Sequence, residues 1–159
     1  VWSAVAEGNR EELTRALKAG ASVNAKQPGS GSTPLNTAVL FGQLGMAKLL
    51  IEKGADVSIA NQDGNTTLHI ASFFAHESLV ELLLEKGASV NAKNCRGETP
   101  LDVVSAAWNP PLERHYESIG ETLVIELDLA RIKRARPKIA QVLRQQAAKR
   151  AAKSPGPTD

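Results

Sequence analysis

With 159 residues, 42% of them hydrophobic and few aromatic, the chain is sized for one globular domain, and it holds no run near the roughly 18–20 apolar residues of a membrane span. Its one cysteine, Cys95, excludes an internal disulfide and a cysteine-based zinc site, which leaves oxidising and reducing compartments both open. The net charge of +2 hides a segregation: residues 131–153 carry nine basic residues and no acid, against 10 basic and 16 acidic residues in 1–130. That asymmetry fits an electrostatic partner, or a basic tail packed beside its own acidic body.

Helical patterns near 2–7 and 10–18 open the chain, with Trp2 starting a first unit that serves as the N-terminal cap. Val1 stands at the edge of a helical pattern without a methionine, so a cytoplasmic protein and one exported after loss of a signal both remain open. One phrase then recurs three times: Gly31-Ser32-Thr33-Pro34-Leu35, Gly64-Asn65-Thr66-Thr67-Leu68 and Gly97-Glu98-Thr99-Pro100-Leu101. The interval from Thr33 to Thr66 equals that from Thr66 to Thr99. A strict period of this length predicts an all-α solenoid, because each unit is too small to bury its apolar face and must stack on neighbours. The units run about 1–30, 31–63, 64–96 and 97–150.

Within a unit the local chemistry is readable. Thr33, Thr66 and Thr99 have hydroxyls suited to cap a helix start, and Pro34 and Pro100 fill the first helical position, where a missing N–H costs nothing. Thr67 replaces proline there and predicts a slightly looser start. A second shared stretch, Leu49-Leu50-Ile51-Glu52-Lys53-Gly54-Ala55-Asp56-Val57 and Leu82-Leu83-Leu84-Glu85-Lys86-Gly87-Ala88-Ser89-Val90, reads as a helix closed by a left-handed glycine. Leu17-Lys18-Ala19-Gly20-Ala21-Ser22-Val23-Asn24-Ala25 is a weaker first copy. Small Ala38 and Ala71 allow close helix approach. The interval from Gly20 to Gly54 is longer by one than that from Gly54 to Gly87, which places a single extra residue in the turn Gln27–Gly31.

The fourth unit starts at Thr99 and breaks at Trp108-Asn109-Pro110-Pro111. Its second helix resumes at Arg136-Pro137-Lys138-Ile139-Ala140-Gln141-Val142-Leu143, after an insertion that spans 109–135. Inside the insertion, Leu112, Tyr116, Ile119 and Leu123 form one apolar helix stripe, and Asp128 can cap a further short helix carrying Leu129 and Ile132. Residues 151–159, with Ser154-Pro155-Gly156-Pro157, are expected to be a disordered tail.

The phrase and the glycine turn together resemble the ankyrin repeat, with its T-P-L-H-x-A signature and G-A-x-V-N-A turn. The resemblance covers roughly residues 2–108; His69 fills the signature histidine, and Asn36 and Asp102 replace it. It implies a non-enzymatic module that binds another protein through a concave face and hairpin tips. By alignment the outward concave positions include Leu40, Phe41, Phe73 and Phe74, and the tips present Gln62, Asp63, Asn65, Arg96 and Glu98. Apolar residues at these concave positions suggest an exposed patch with aromatic anchors. Cover by the insertion or tail, or packing between repeats, are the competing readings.

No constellation points to catalysis. His69 reads as a bond between repeats and His76 as a polar helix start, while His115 points away from a possible Glu113–Glu117 face and lacks convergent ligands. Gly29-Ser30-Gly31 has neither the strand nor the lysine of a phosphate loop. Ser3, Ser72 and Ser105 lack a nucleophile's setting, and Cys95 beside Arg96 reads as a surface thiol. No cofactor, metal or small-molecule substrate is expected, and the chain alone is expected to be monomeric. Two alternatives remain: a regulatory or enzymatic site in 109–135, and a basic tail on nucleic acid or an anionic membrane surface. The buried-looking Ile139, Ala140, Val142 and Leu143 weigh against the second.

Overall fold

The computed structural model describes residues 1–153. Among them every regular element is helical: α1 (Trp2–Ala6), α2 (Arg10–Lys18), α3 (Pro34–Leu40), α4 (Leu44–Glu52), α5 (Thr67–Phe73), α6 (Glu77–Glu85), α7 (Pro100–Ser105), α8 (Pro110–Leu123) and α9 (Leu129–Lys153). First helices α1, α3, α5 and α7 pack in a row, and α4, α6 and α9 form a second row beside them.

The first helices α3, α5 and α7 each begin within a copy of the phrase. The Thr33 hydroxyl accepts the Asn36 N–H at 3.2 Å, and the Thr99 hydroxyl accepts that of Asp102 at 3.2 Å. Thr66 and His69 cap α5 reciprocally. Thr67 is not a loose substitute for proline: its hydroxyl donates to the Val57 carbonyl at 2.8 Å and ties the helix start to the preceding turn.

The second helices bury the same three registers. Met46, Ala47 and Leu50 on α4 match Leu79, Val80 and Leu83 on α6, and Ile139, Ala140 and Leu143 on α9. All nine lie in one continuous core with Leu13, Leu35 and Leu68. Burying a Leu-sized side chain contributes about 1.5–3 kcal/mol, so a repeated register of three is a strong reason for the rows to stack.

Two expectations are corrected at the C-terminal end. No separate short helix follows Asp128, and Pro137 does not start a helix. α9 runs unbroken from Leu129, with Pro137 inside it. Asp128 accepts the Arg131 N–H at 2.8 Å and so caps this long helix. Pro137 lies on the exposed side of α9, so the helical bond it cannot donate is lost at a position open to solvent rather than in the core. The helix also takes in residues 151–153 of the expected tail; residues 154–159 lie outside the described residues.

Candidate partner-binding surface

The tips are held by their backbones. The Gln62 N–H donates to the Ser30 carbonyl at 3.0 Å, and the Cys95 N–H donates to the Asp63 carbonyl at 2.9 Å, so each tip hangs on the one before it. All three glycines that open the repeated phrase have positive φ (66°, 75° and 76°), which favours glycine, and at two of them this contact adds a second reason. A Cβ at Gly64 would stand 2.7 Å from the Cys95 nitrogen, and one at Gly31 would stand 3.0 Å from that of Gln62. At Gly97, where no further tip follows, a Cβ would meet nothing within 4 Å.

Asn61 and Asn94 shape the tips from within, and the sequence reading passed over both. The Asn61 side-chain oxygen accepts the N–H groups of Asp63 (3.0 Å) and Asn65 (2.9 Å). The oxygen of buried Asn94 accepts those of Arg96 and Glu98, both at 3.0 Å, and its amide donates to Asn65 and to the Glu98 carboxylate. The signal was available in the sequence: Asn61 and Asn94 stand one repeat period apart, at the position where a side chain can close a turn on its own backbone.

The expected site residues thus divide. Gln62, Asp63 and Arg96 are exposed. Asn65 and Glu98 are half-buried and engaged with Asn94, so they build the tip more than they decorate it. Hydrogen bonds from Asn94 and then Arg96 hold the Glu98 carboxyl below its usual range. His69 joins the tips to the core: its Nδ1 accepts the Thr66 N–H at 3.2 Å and its Nε2–H donates to the Glu98 carbonyl at 3.0 Å. Burial pushes its pKa down, which favours the neutral ring that this pair of bonds requires.

The exposed aromatic patch expected at Phe73 and Phe74 is absent. Phe74 is only 5% exposed, and Phe73 is half-buried. α8 crosses over them and inserts Tyr116, which is fully buried. Its ring stacks on Phe73 (4.4 Å between centroids) and on Trp108 (5.5 Å), with both pairs near parallel. The Tyr116 hydroxyl donates to the Phe73 carbonyl at 2.5 Å and accepts from Arg136 at 2.8 Å. Arg136, buried on α9, also donates to the carbonyls of Val103 (3.1 Å) and Ala106 (2.8 Å). Arg131 donates to the carbonyls of Phe74 (3.2 Å) and Ala75 (2.9 Å). Cover by the insertion, one of the competing readings, is therefore what the side chains do. Leu40 and Phe41 stay half-exposed.

The insertion gathers no catalytic set. His115 is exposed on α8 with its ring 5.8 Å from that of Phe73. The open hollow of about 490 Å³ at the α8–α9 corner is lined by Glu117, Glu121, Glu126 and apolar neighbours, and His115 is not part of it. Among the described residues no three His, Cys, Asp or Glu groups converge as a metal site would require. His76 donates through Nε2 to the Leu40 carbonyl at 3.4 Å, and burial lowers its pKa. Cys95 is an exposed thiol whose sulfur lies 3.6 Å from the Gln62 carbonyl.

A family model described as ankyrin repeats, in three copies, matches residues 1–94. The chain is 36% identical over 64 residues to an ankyrin repeat-containing protein of Schizosaccharomyces pombe, a match covering 40% of this chain and 30% of the relative. It is 40% identical over 65 residues to the Notch-regulated ankyrin repeat-containing protein of Homo sapiens, covering 38% of this chain and 56% of that protein. The matches thus span about a third to just over half the length of these relatives. Among solved structures, the ankyrin repeat domain of Bcl-3, described as a unique member of the IkappaB protein family, aligns with a TM-score of 0.62 at 33% identity, over 73% of this chain and 50% of that one.

Proposed function

We infer, for a chain that belongs to the ankyrin-repeat family, that its task is to hold another protein against the hairpin tips and the half-exposed Leu40–Phe41 shoulder. Ankyrin repeats are protein–protein interaction modules in general. The observation that carries the reading for this chain is the tip ladder. Gln62, Asp63 and Arg96 stand exposed on turns whose backbones are bonded to each other and to Asn61 and Asn94. A surface ordered before binding loses little further freedom on association, and that raises affinity for a given contact area. Phe73 and Phe74 support the surface from beneath α8 and are not direct contacts in this reading.

The test is affinity capture of the native partner, followed by a dissociation constant for Q62A/D63A/R96A and for F41A. Either variant is expected to weaken binding at least tenfold, about 1.4 kcal/mol, with the melting temperature unchanged. Wild-type affinity in both variants, with the fold intact, would sink the assignment.

A further inference from the structure

The charge segregation of this chain is not used up by its own fold. α9 contains no acid, and its basic residues are spent in an unexpected way. Arg131 and Arg136 reach backbone carbonyls or the Tyr116 hydroxyl, which satisfies their hydrogen bonds without supplying a counter-charge in those contacts. α9 thus packs beside the repeat body, while the described ion pairs between the two amount to Lys138 with Glu77. Arg134, Gln141, Arg144, Gln145, Ala148 and Lys149 all lie exposed on α9. From Arg134 to Lys149 they occupy roughly 22 Å of helix at about 1.5 Å per residue.

We propose that this outer face of α9 is a second docking surface, and that its occupant is an acidic segment of a partner protein. Charge complementarity selects an anionic occupant. The pattern of the face selects peptide over nucleic acid. Arg134 and Arg144 are about 15 Å apart along the axis, a wide gap against the phosphates of a duplex strand, which repeat about every 3.4 Å. Lys138, within that gap, is already paired with Glu77, and the uncharged polar groups of the face are Gln141, inside the gap, and Gln145, just beyond Arg144. Their amides both donate and accept, as peptide backbone does, whereas a phosphate only accepts. α9 also carries no aromatic on which a base could stack. The proposal shares the protein-binding reading above but uses different residues from the tips.

Fluorescence anisotropy of the full chain tests it, with a labelled twelve-residue peptide of alternating glutamate and serine. The expected result is binding that weakens as salt rises, and a loss of at least tenfold in R134E/R144E/K149E. The charge-matched control K18E/K48E/K53E should lose less than twofold, Q141A/Q145A about threefold, and the tip variant Q62A/D63A/R96A nothing. If charge reversal unfolds the chain, R134Q/R144Q/K149Q is measured in its place. Equal losses in the control and the α9 variant, an unchanged Q141A/Q145A, or tighter binding of a twelve-nucleotide thymidine oligomer than of the peptide would each overturn the proposal.

Discussion

The central repeats and the interrupted last one start from the same phrase and hold together in different ways. In the central repeats the ties are short: backbone to backbone at the tips through Gln62 and Cys95, and side chain to backbone through Thr67 and His69. The tip ties recur one period apart, while the Thr67 and His69 ties belong to one repeat, since Pro34 and Pro100, and Asn36 and Asp102, stand at the matching positions. After α7 the chain leaves the pattern, and no neighbouring copy exists to receive α8. A single side-chain assembly, Tyr116 between two aromatic rings with Arg136 behind it, takes over the task. Repetition thus distributes cohesion, and the insertion concentrates it.

The largest expected effect comes from breaking that concentration. Arg136→Ala removes the donor to Tyr116, Val103 and Ala106 and leaves buried oxygens unpaired, a loss of about 3 kcal/mol. Hydrogen exchange followed by mass spectrometry should show α8 and the first half of α9 losing protection while α3 and α4 keep theirs. Leu50→Ala in the central repeats costs a comparable 2–5 kcal/mol or so and should show the reverse pattern. Identical exchange maps for the two variants would mean the two regions do not differ as argued. Tyr116→Phe keeps the stacked ring and deletes only the hydroxyl between Phe73 and Arg136, with an expected loss of about 1–2 kcal/mol in a denaturant titration.

This contrast also explains what could be read from the chain alone. The caps, the glycine turns and the stacking were legible because they recur, and three copies of Thr33, Thr66 and Thr99 make a signal that one copy would not. The stripe Leu112–Tyr116 marked α8 as a helix that must dock, but it named no partner, since the surface it seeks lies far back along the chain at Phe73. Phe73 and Phe74 looked exposed because the alignment compares them with repeats that have no insertion above them. Pro137 looked like a helix start because proline usually is one; a Pro on the outer side of a long, packed helix leaves the same trace. In the sequence Arg136 is one of nine basic residues in 131–153, and nothing in a one-dimensional pattern distinguishes it from Arg134.

Acid should reach the repeats first. His69 and His76 both have pKa values lowered by burial, so unfolding lets each take up a proton more readily. Their contribution is fully present above the ordinary histidine range, near pH 6.5, and is lost as pH falls through that range toward the lower folded values. Melting temperature should therefore decline between about pH 7 and pH 5. Glu98 and Asp102, both lowered by hydrogen bonds, act in the same direction but only at more acid pH, nearer 4. His69→Asn imitates the Thr33–Asn36 cap and should flatten the first part of the curve. A curve unchanged by that substitution would place the acid sensitivity elsewhere.

The smallest effect concerns the corner that joins α8 to α9. Val124 ends α8 with φ 54°, in the left-handed region, and is 90% exposed. A β-branched side chain is poorly suited to that conformation, at a cost of roughly 1–2 kcal/mol, and an exposed valine gains no burial in return. Asparagine adopts the same backbone more readily and keeps the unfolded chain as restricted as other non-glycine residues do. Val124→Asn should therefore stabilise the chain by about 0.5–1 kcal/mol, visible as a small rise in melting temperature. Glycine at the same place should give less, because it adds freedom to the unfolded chain. The ordering asparagine above glycine above valine assigns the cost to backbone conformation. Valine as the most stable of the three would show that its side chain makes a contact at this corner, and that the insertion is held by more than Tyr116 and Arg136.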